Sequence, residues 1–567
     1  MFSGFNKRDE KFMVSVIEPN LEYKERDMSE ILKKIKESDK SLFVGVAGPG
    51  TGKSTAFKTI IDSDDYKGKK VLILSFIKKL INDLSTDFKD FSNVEVLTLH
   101  AFAKQKLGDV DLNEDLDLII SEDFSFVYDS KIEYDKKFYE NDLTEDEEKF
   151  YKERKNFYKH EKELYSFNSI IYAVNRFFNK SENNIPSKYD LILIDEFQDF
   201  NKAEFELIKL LNKKSKVVVV GDDDQSLYGG FRNAKPKQIR ELYKDESTEE
   251  FSLDHCYRCT EVIVDATNSL ITNAKSKGFL ADSLENKKFL YPKDREDNKN
   301  EVSKKYDKID FIPSVQGNKL IYELEKRIKK DIEGEGKKRI LILTPSYFKQ
   351  TIYAGLIGKG FNVVEFELFS DEQCNKIKHK KLISNFKVLT ERKTDNLALR
   401  SILSLYLKLG ELKDIVVKSK QENKKIWTYL NDKIKNKIEC DIEIFKKVKK
   451  GKDKLTPKEL KRFSELFTLK NLLSKMIGGF DSVAKNAIEV EMTTVMSSKG
   501  LSADFVYYIG IDDKNILDKE TKKFTDQKIC EFLVAITRAK EKLTLISLED
   551  KKPKILEFID QKYINEC

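Results

Sequence analysis

The chain has 567 residues, of which 40% are apolar and 36% charged, and its formal net charge is +6. A chain of this length and apolar content is expected to fold into about three or four domains, and its composition excludes an intrinsically disordered protein. No apolar run reaches the roughly 20 residues of a membrane span, and the charged N-terminal residues lack the following apolar core of a signal peptide. The six cysteines form no framework, so we expect a cytoplasmic protein with no membrane partner.

The first strong pattern follows an amphipathic helix expected at 28–36 and covers Ser41–Thr55, SLFVGVAGPGTGKST. An apolar run, a glycine-rich turn and a Lys-Ser-Thr triplet predict a buried strand, a phosphate-binding loop and a helix N-terminus. Backbone amides would cradle phosphate oxygens, Lys53 would meet the β- and γ-phosphates, and Ser54 would bind Mg²⁺. The predicted nucleotide-binding residues are Ala47, Gly48, Pro49, Gly50, Thr51, Gly52, Lys53, Ser54 and Thr55.

The following residues alternate between apolar runs and helical patterns. Strands are predicted at 70–76, 94–97, 189–194 and 216–220, which favours a doubly wound α/β sheet with ligands at the carboxyl ends of its strands. Between them, residues 104–185 have an acidic, aromatic-rich helical pattern without strand signals. From 104 to 188 there are 14 Lys and Arg against 20 Asp and Glu, a net charge of −6. We therefore expect a helical insertion in this sheet.

A second α/β unit is predicted to begin near Phe251, with a strand at 339–343 and strand–turn–helix patterns at 491–510 and 531–547. Residues 376–488 form a Lys-rich helical insertion in this unit. From 371 to 485 there are 29 Lys and Arg against 15 Asp and Glu, a net charge of +14, which favours contact with a polyanion. Pattern alone therefore predicts two α/β halves, each interrupted by a helical insertion.

Two carboxylates follow the apolar strand that ends at Ile194. Asp195 is suited to hold Mg²⁺ through water, and Glu196 to orient or deprotonate an attacking water. A pair with metal-ligand spacing, Cys256 and Cys259, lacks a second pair nearby. Cys374 with His379, and Cys440, remain alternative partners, but we expect no metal there.

Five stretches occur in a fixed order: LILIDEFQDFN, VVVVGDDDQSLYGGFRNA, LDHCYRC, MTTVMSSKGLSADFVYYIG and FLVAITRAKEKLTLI. They resemble successive motifs of the UvrD/Rep/PcrA family of superfamily 1 DNA helicases. The resemblance implies two RecA-like P-loop domains with parallel sheets flanked by helices. The implied division is 1–103 with 186–250 for the first domain, 104–185 for its insertion, 251–375 with 489–567 for the second domain, and 376–488 for its basic insertion.

The resemblance also implies roles for single residues. Gln225 would couple the γ-phosphate to the nucleic-acid site, Arg258 and Arg538 would close on the γ-phosphate, and Tyr257 would stack on the base. Gly500 is assigned to the nucleotide site. The residues implied to line the single-strand track are Phe76, Lys78, His100, Tyr228 and Phe231, with Lys79 as a further phosphate contact.

The implied function is an ATP- and Mg²⁺-dependent translocase or helicase on single-stranded DNA, with 3′-to-5′ polarity, in DNA repair, recombination or phage defence. An alternative is a nucleotide-gated DNA-binding subunit that activates a partner nuclease or effector with little unwinding of its own. RNA is a further alternative track. The sequence departs from the family at three points. The family usually has a glutamine before the phosphate-binding loop that reads adenine, whereas the first glutamine here is Gln105; in addition, Met496 replaces a histidine and Ser502 replaces a glutamate. The sequence therefore leaves open whether the nucleotide is ATP or another nucleoside triphosphate.

Overall fold

A computed structural model describes residues 22–75, 85–86, 88–227, 234, 236–284, 287, 289–294, 297–315, 317–365, 371–449, 455–456, 458–459, 461–462 and 488–567. Within them the chain forms two parallel β-sheets flanked by helices, and two helical insertions that pack on each other. The predicted α/β class is confirmed. None of the described helices is long and apolar enough to cross a membrane.

The described strands are numbered in chain order. They are β1 (Leu42–Ala47), β2 (Val71–Ser75), β3 (Val94–Thr98), β4 (Val110–Leu112), β5 (Glu163–Tyr165), β6 (Leu191–Ile194), β7 (Lys216–Gly221), β8 (Glu249–Leu253), β9 (Ile309–Ile312), β10 (Ile340–Leu343), β11 (Asn362–Glu365), β12 (Glu489–Thr493), β13 (Ala503–Ile509), β14 (Ala539–Ile546) and β15 (Ile564–Glu566).

The described α-helices are numbered in the same way. They are α1 (Glu22–Glu37), α2 (Lys53–Asp62), α3 (Leu99–Leu107), α4 (Leu116–Tyr128), α5 (Tyr134–Glu140), α6 (Glu145–Tyr158), α7 (Phe167–Lys180), α8 (Lys202–Asn212), α9 (Lys237–Lys244), α10 (Glu261–Ser276), α11 (Lys299–Lys305), α12 (Asn318–Ile332), α13 (Lys349–Gly358), α14 (Asp371–Glu391), α15 (Asn396–Ile402), α16 (Leu409–Glu422), α17 (Ile426–Tyr429), α18 (Asp432–Lys449), α19 (Asp513–Ile516) and α20 (Asp526–Ile536).

The first sheet has the strand order β3-β2-β6-β7-β1-β8, and each neighbouring pair is parallel. Its central strands are continuous apolar runs because helices cover both faces, which removes the alternation seen in half-exposed strands. Strand β1 lies between β7 and β8, with Leu42 opposite Val217 and Ala47 opposite Leu253. The phosphate-binding loop after β1 therefore lies beside the carboxyl ends of both neighbours.

The second sheet has the order β11-β12-β10-β13-β14-β9-β15, again with parallel neighbours. Its central strands come from both sides of the basic insertion in the sequence, since β10 precedes the insertion and β12, β13 and β14 follow it. The insertion thus connects β11 and β12, which are neighbours in this sheet.

The two insertions share a single hydrophobic core. Side chains of α4 to α6 pack against side chains of α14 to α18 in one cluster of buried residues, which includes Leu116, Phe150, Leu399 and Ile438. The first insertion also contains β4 and β5, which pair in parallel. The expectation of an insertion without strands was wrong there, because three-residue strands are too short to give a periodic signal.

A buried ionic cluster lies inside this shared core. Asp123 is fully buried and accepts hydrogen bonds from Arg154 on α6 at 2.6 and 2.9 Å and from Arg400 on α15 at 2.9 Å. The Tyr158 hydroxyl donates to the same carboxylate. Arg400 also donates to Glu122 at 2.9 Å. One carboxylate of the first insertion is thus neutralised by an arginine from each insertion.

Complementary charge extends over the rest of the contact between the insertions. Lys381 pairs with Asp115, Lys413 lies 3.5 Å from Asp129, and Lys420 lies 3.8 Å from Glu153. Part of the positive charge expected to meet a polyanion therefore meets the acidic insertion of the same chain.

Three of the expected domain limits fall inside continuous elements. The limit at 103/104 lies within α3, that at 250/251 within β8, and that at 375/376 within α14. Because β8 pairs with β1, the first sheet extends to Leu253. The division of the chain into domains otherwise stays a prediction.

Arg400→Met removes one of the two arginines that neutralise Asp123. We expect a loss of about 3 kcal/mol in local stability, because breaking a buried ion pair leaves a poorly compensated charge. Hydrogen exchange of the slowest amides in α4 should become roughly 100-fold faster, since every 1.4 kcal/mol is about tenfold.

Lys413→Met is the matched control, because it removes an exposed ion pair across the same contact. Its effect should stay within about fivefold. Equal exchange rates in the two variants would show that the buried cluster does not hold the insertions together.

Candidate active site

The loop between β1 and α2 has the backbone of a phosphate cradle. Gly50 and Gly52 have φ angles of 72° and 91°, in the left-handed region that favours glycine. The Thr51 hydroxyl donates to the Gly48 carbonyl at 2.9 Å. Lys53 is the first residue of α2, whose N-terminal amides have no intrahelical partner and point toward any bound anion. All nine residues predicted from Ala47 to Thr55 belong to this one turn.

The two predicted carboxylates follow β6 at the neighbouring edge. Glu196 has a φ of 53°, uncommon for a residue with a side chain, and its carboxylate lies 3.8 Å from Lys53 Nζ. Burial disfavours its charged form, but the positive charges of Lys53 and Lys499 outweigh burial and hold the pKa of Glu196 well below its usual range. Burial and the charge of Glu196 raise the pKa of Asp195. The protein therefore stabilises negative charge more strongly on Glu196 than on Asp195.

The predicted coupling glutamine contacts both halves of the chain. Gln225 donates to Asp222 Oδ2 at 2.9 Å, within the first half. Its side-chain oxygen accepts from Arg538 at 3.3 Å, across the cleft. Arg538 is 4% exposed and is held by the carbonyls of Val534 and Leu501. The structure therefore brings together a predicted residue from each half in one hydrogen bond.

Arg258 lies over the phosphate-binding loop. A Cβ built on Gly50 would lie 2.4 Å from Arg258 Cβ, so a side chain at position 50 would collide with the second half. The neighbouring Tyr257 amide donates to the Gly50 carbonyl at 2.9 Å. Arg258 donates to the Thr537 carbonyl at 3.0 Å, whereas its Nε is buried without a hydrogen-bond partner among the described residues.

The two arginines carry positive charge that the protein does not neutralise directly. Among the described residues, neither Arg258 nor Arg538 has a carboxylate within 4 Å. Burial and the charge of Arg258 lower the pKa of Arg538 to about 9. A bound polyphosphate would relieve this repulsion and supply an acceptor for the orphaned Arg258 Nε. The cradle, the arginines and the acids Asp195 and Glu196 therefore fit a nucleoside triphosphate with Mg²⁺, which Ser54 and Asp195 would hold.

Lys499 is a site residue that the sequence interpretation missed. Its side chain is 3% exposed, and its Nζ forms an ion pair with Asp199, donates to the Gln225 carbonyl at 3.0 Å and lies 3.6 Å from Glu196. It enters the first half from the second half. A signal existed, because Lys499 precedes Gly500 in the quoted SSKGLS stretch.

Lys287 is a second missed residue. The carboxylates of Asp222, Asp223 and Asp224 lie close enough together to hold a metal ion. Lys287 Nζ already lies among them, at 2.7, 3.0 and 2.5 Å, and Arg240 donates to Asp223 at 2.9 Å. The cluster is thus an ionic anchor for the loop that carries Gln225. Nothing distinguishes Lys287 in a sequence with 104 Lys and Arg.

For the remaining predicted site residues the structure gives either no position or no contact with the site described above. Phe76, Lys78, Lys79, Tyr228 and Phe231 lie outside the described residues. His100 is half-buried in the first turn of α3, with its ring edge-on to Phe167 at 5.2 Å. Gly500 is exposed in a left-handed turn with φ 80°. The roles of His100, Gly500 and the Tyr257 ring stay predictions.

Known proteins resemble both halves of the chain. Residues 120–247 match the UvrD/REP helicase N-terminal domain, and residues 410–550 match the UvrD-like helicase C-terminal domain. The ATP-dependent DNA helicase Rep of Buchnera aphidicola subsp. Acyrthosiphon pisum is 27% identical over a 441-residue alignment that covers 67% of this chain and 66% of that protein.

Shorter matches are closer in sequence. The DNA helicase II of Haemophilus influenzae is 44% identical over 87 residues, 15% of this chain and 12% of that protein. The ATP-dependent DNA helicase PcrA of Staphylococcus aureus is 39% identical over 110 residues, 18% of this chain and 15% of that protein. The matched regions thus span less than two thirds of each relative. Together with the two parallel sheets, these matches show that the chain belongs to the UvrD/Rep/PcrA-like family of superfamily 1 helicases.

Proposed function

We propose that the chain hydrolyses ATP with Mg²⁺ and uses the cycle to move along single-stranded DNA, as a translocase or helicase with 3′-to-5′ polarity. This proposal rests on contacts between the two halves. From the second half, Lys499 lies beside Glu196 and Gln225, and Arg538 donates to Gln225. Arg258, also from the second half, lies over the phosphate-binding loop. A site built from two halves changes when the halves move, which is what a motor requires.

Each side chain has a distinct task in this proposal. Lys53 and the amides of the loop bind the phosphates, and Ser54 and Asp195 hold Mg²⁺, which supplies charge neutralisation when bound. Glu196 orients the attacking water and accepts its proton. Arg258 and Arg538 stabilise the charge that develops on the transferred phosphoryl group.

Coupling to DNA would run through the hydrogen bond from Arg538 to Gln225. Asp222, in the first half, accepts a hydrogen bond from Gln225. Lys287, which binds Asp222, and Arg538, which donates to Gln225, both belong to the second half, so movement of the second half shifts these contacts. The sequence of the neighbouring loop, with Tyr228 and Phe231, matches the family's single-strand track. We therefore propose that closure of the cleft and the grip on the strand change together.

A second function is favoured by the shared core of the insertions. A buried ionic cluster joins both insertions and restricts their movement relative to each other. Such a restriction favours a protein that binds DNA over one that separates its strands. In this alternative the chain is a nucleotide-gated subunit that activates a partner nuclease or effector and unwinds little by itself. Both candidates predict DNA-dependent hydrolysis, and they differ in strand separation.

The test is steady-state hydrolysis of ATP and of GTP by the full chain, without nucleic acid, with single-stranded DNA and with single-stranded RNA. We expect stimulation by DNA of at least tenfold. Hydrolysis that single-stranded DNA fails to stimulate would contradict the proposal, and preferential stimulation by RNA would assign the other track. Displacement of a duplex with a 3′ tail, but not with a 5′ tail, distinguishes the helicase from the gated subunit.

Glu196→Gln should lower the rate of ATP hydrolysis by about 10²- to 10⁴-fold, because the amide keeps the shape of the side chain but cannot accept the proton. Lys53→Ala should abolish hydrolysis and also weaken ATP binding. Thermal unfolding of both variants should resemble that of the parent chain. Near-normal hydrolysis by Glu196→Gln would remove Glu196 from the proposed role.

Lys499→Met should lower DNA-stimulated kcat by about tenfold or more, because it leaves Asp199 buried without its cation and removes one of the two contacts between Gln225 and the second half. The KM for ATP should change less, since Lys53 and the loop are untouched. Lys514→Met is the control, because Lys514 is half-exposed and pairs with Glu549 within the second half. Equal kcat values for the two variants would contradict a role for Lys499 in joining the halves.

A further inference from the structure

Two buried cysteines enclose the residues that reach the phosphate-binding loop. Cys256 and Cys259 are both fully buried, and the Cys259 amide donates to Cys256 Sγ at 3.5 Å. The two residues between them are Tyr257, whose amide donates to Gly50, and Arg258, which lies over the loop. Any covalent change at the thiols therefore acts on the segment that completes the proposed site.

The two thiols lie in a polarised environment. The interaction with the Cys256 side chain, opposed by burial and helped by the charge of Arg258, lowers the pKa of Cys259 to about 6. Burial raises the pKa of Cys256. One sulfur thus favours the thiolate and the other the thiol, which is the arrangement of an attacking and a resolving cysteine.

The cover over Cys256 comes from the other half of the chain. Its thiol donates to the Pro49 carbonyl at 3.2 Å, and a Cβ on Gly50 would lie 3.3 Å from its sulfur. Separation of the two halves would remove this cover. Access of a small oxidant is therefore tied to the same movement that opens the nucleotide site.

We propose that Cys256 and Cys259 form a reversible disulfide that disengages Arg258 and Tyr257 from the phosphate-binding loop, a switch that rests on the proposed ATP hydrolysis. The Cys259 thiolate attacks one oxygen of a hydroperoxide, becomes a sulfenic acid and releases hydroxide, which takes up the thiol proton of Cys256. The Cys256 thiolate then displaces the sulfenic oxygen as hydroxide, which takes up the proton that Cys259 released when it ionised and becomes the second water. In total two thiols lose two protons and two electrons, and hydrogen peroxide becomes two waters.

The disulfide changes two contacts of the site. Cys256 loses the S–H that donates to Pro49, and the sulfurs approach to about 2.05 Å, closer than hydrogen-bonded thiols allow. The segment that carries Arg258 must adjust to this shorter link. Arg258 also loses the neighbouring negative sulfur.

The experiment uses the full chain with Cys374, Cys440 and Cys567 changed to serine, so that Cys256, Cys259 and Cys530 remain. The reduced protein is treated with hydrogen peroxide, and peptide mass, DNA-stimulated ATPase rate and recovery in dithiothreitol are followed. We expect a Cys256–Cys259 link, at least a tenfold loss of rate and recovery to within twofold. In Cys259→Ser the remaining rate, or binding of a fluorescent ATP analogue if that rate is low, should not respond to peroxide.

The possible outcomes separate this inference from the proposed function. A link that forms without loss of ATPase, irreversible oxidation of Cys259 without a link, or zinc released from the reduced protein by a chelator would each overturn the switch. If the reduced chain hydrolyses no ATP, the proposed function fails, whereas link formation and its effect on binding of the ATP analogue still decide the inference.

Discussion

The buried contact of Lys499 with Asp199, Glu196 and Gln225 is the interaction on which the composite site depends. An ammonium group with 3% exposure is tolerated only when carboxylates compensate it, and an uncompensated buried charge costs several kcal/mol. The second half supplies the cation and the first half the anions. Each half therefore stabilises the other in the arrangement that brings Arg258 to the phosphate-binding loop and Arg538 to Gln225.

The insertions connect the halves a second time, away from the nucleotide. Asp123 of one insertion is neutralised partly by Arg400 of the other, inside a shared apolar core. The acidic and basic composition of the two insertions thus describes a contact within the chain, in addition to the surface that we propose for DNA. If the two halves separate at the nucleotide site, the insertions must stay joined through this shared core.

Much of the fold follows from local sequence. Continuous apolar runs predicted the central strands, and the glycines with Lys53 predicted the loop and the helix after it, because these signals are carried by neighbouring residues. Arg258 and Arg538 came from resemblance and not from pattern. Lys287 and the ionic cluster of Asp123 were missed, since a buried lysine or aspartate looks like a surface one until its distant partners are known. The joined insertions were missed for the same reason.

We propose that the first half alone binds nucleotide and that the arginines of the second half are required for its hydrolysis. The most direct test is Arg538→Ala, measured for both binding of ATP and its DNA-stimulated hydrolysis. We predict a fall in kcat of about 10³-fold, typical of the loss of an arginine that stabilises phosphoryl transfer, with ATP affinity within about tenfold of the parent chain. Hydrolysis at the rate of the parent chain would contradict the account.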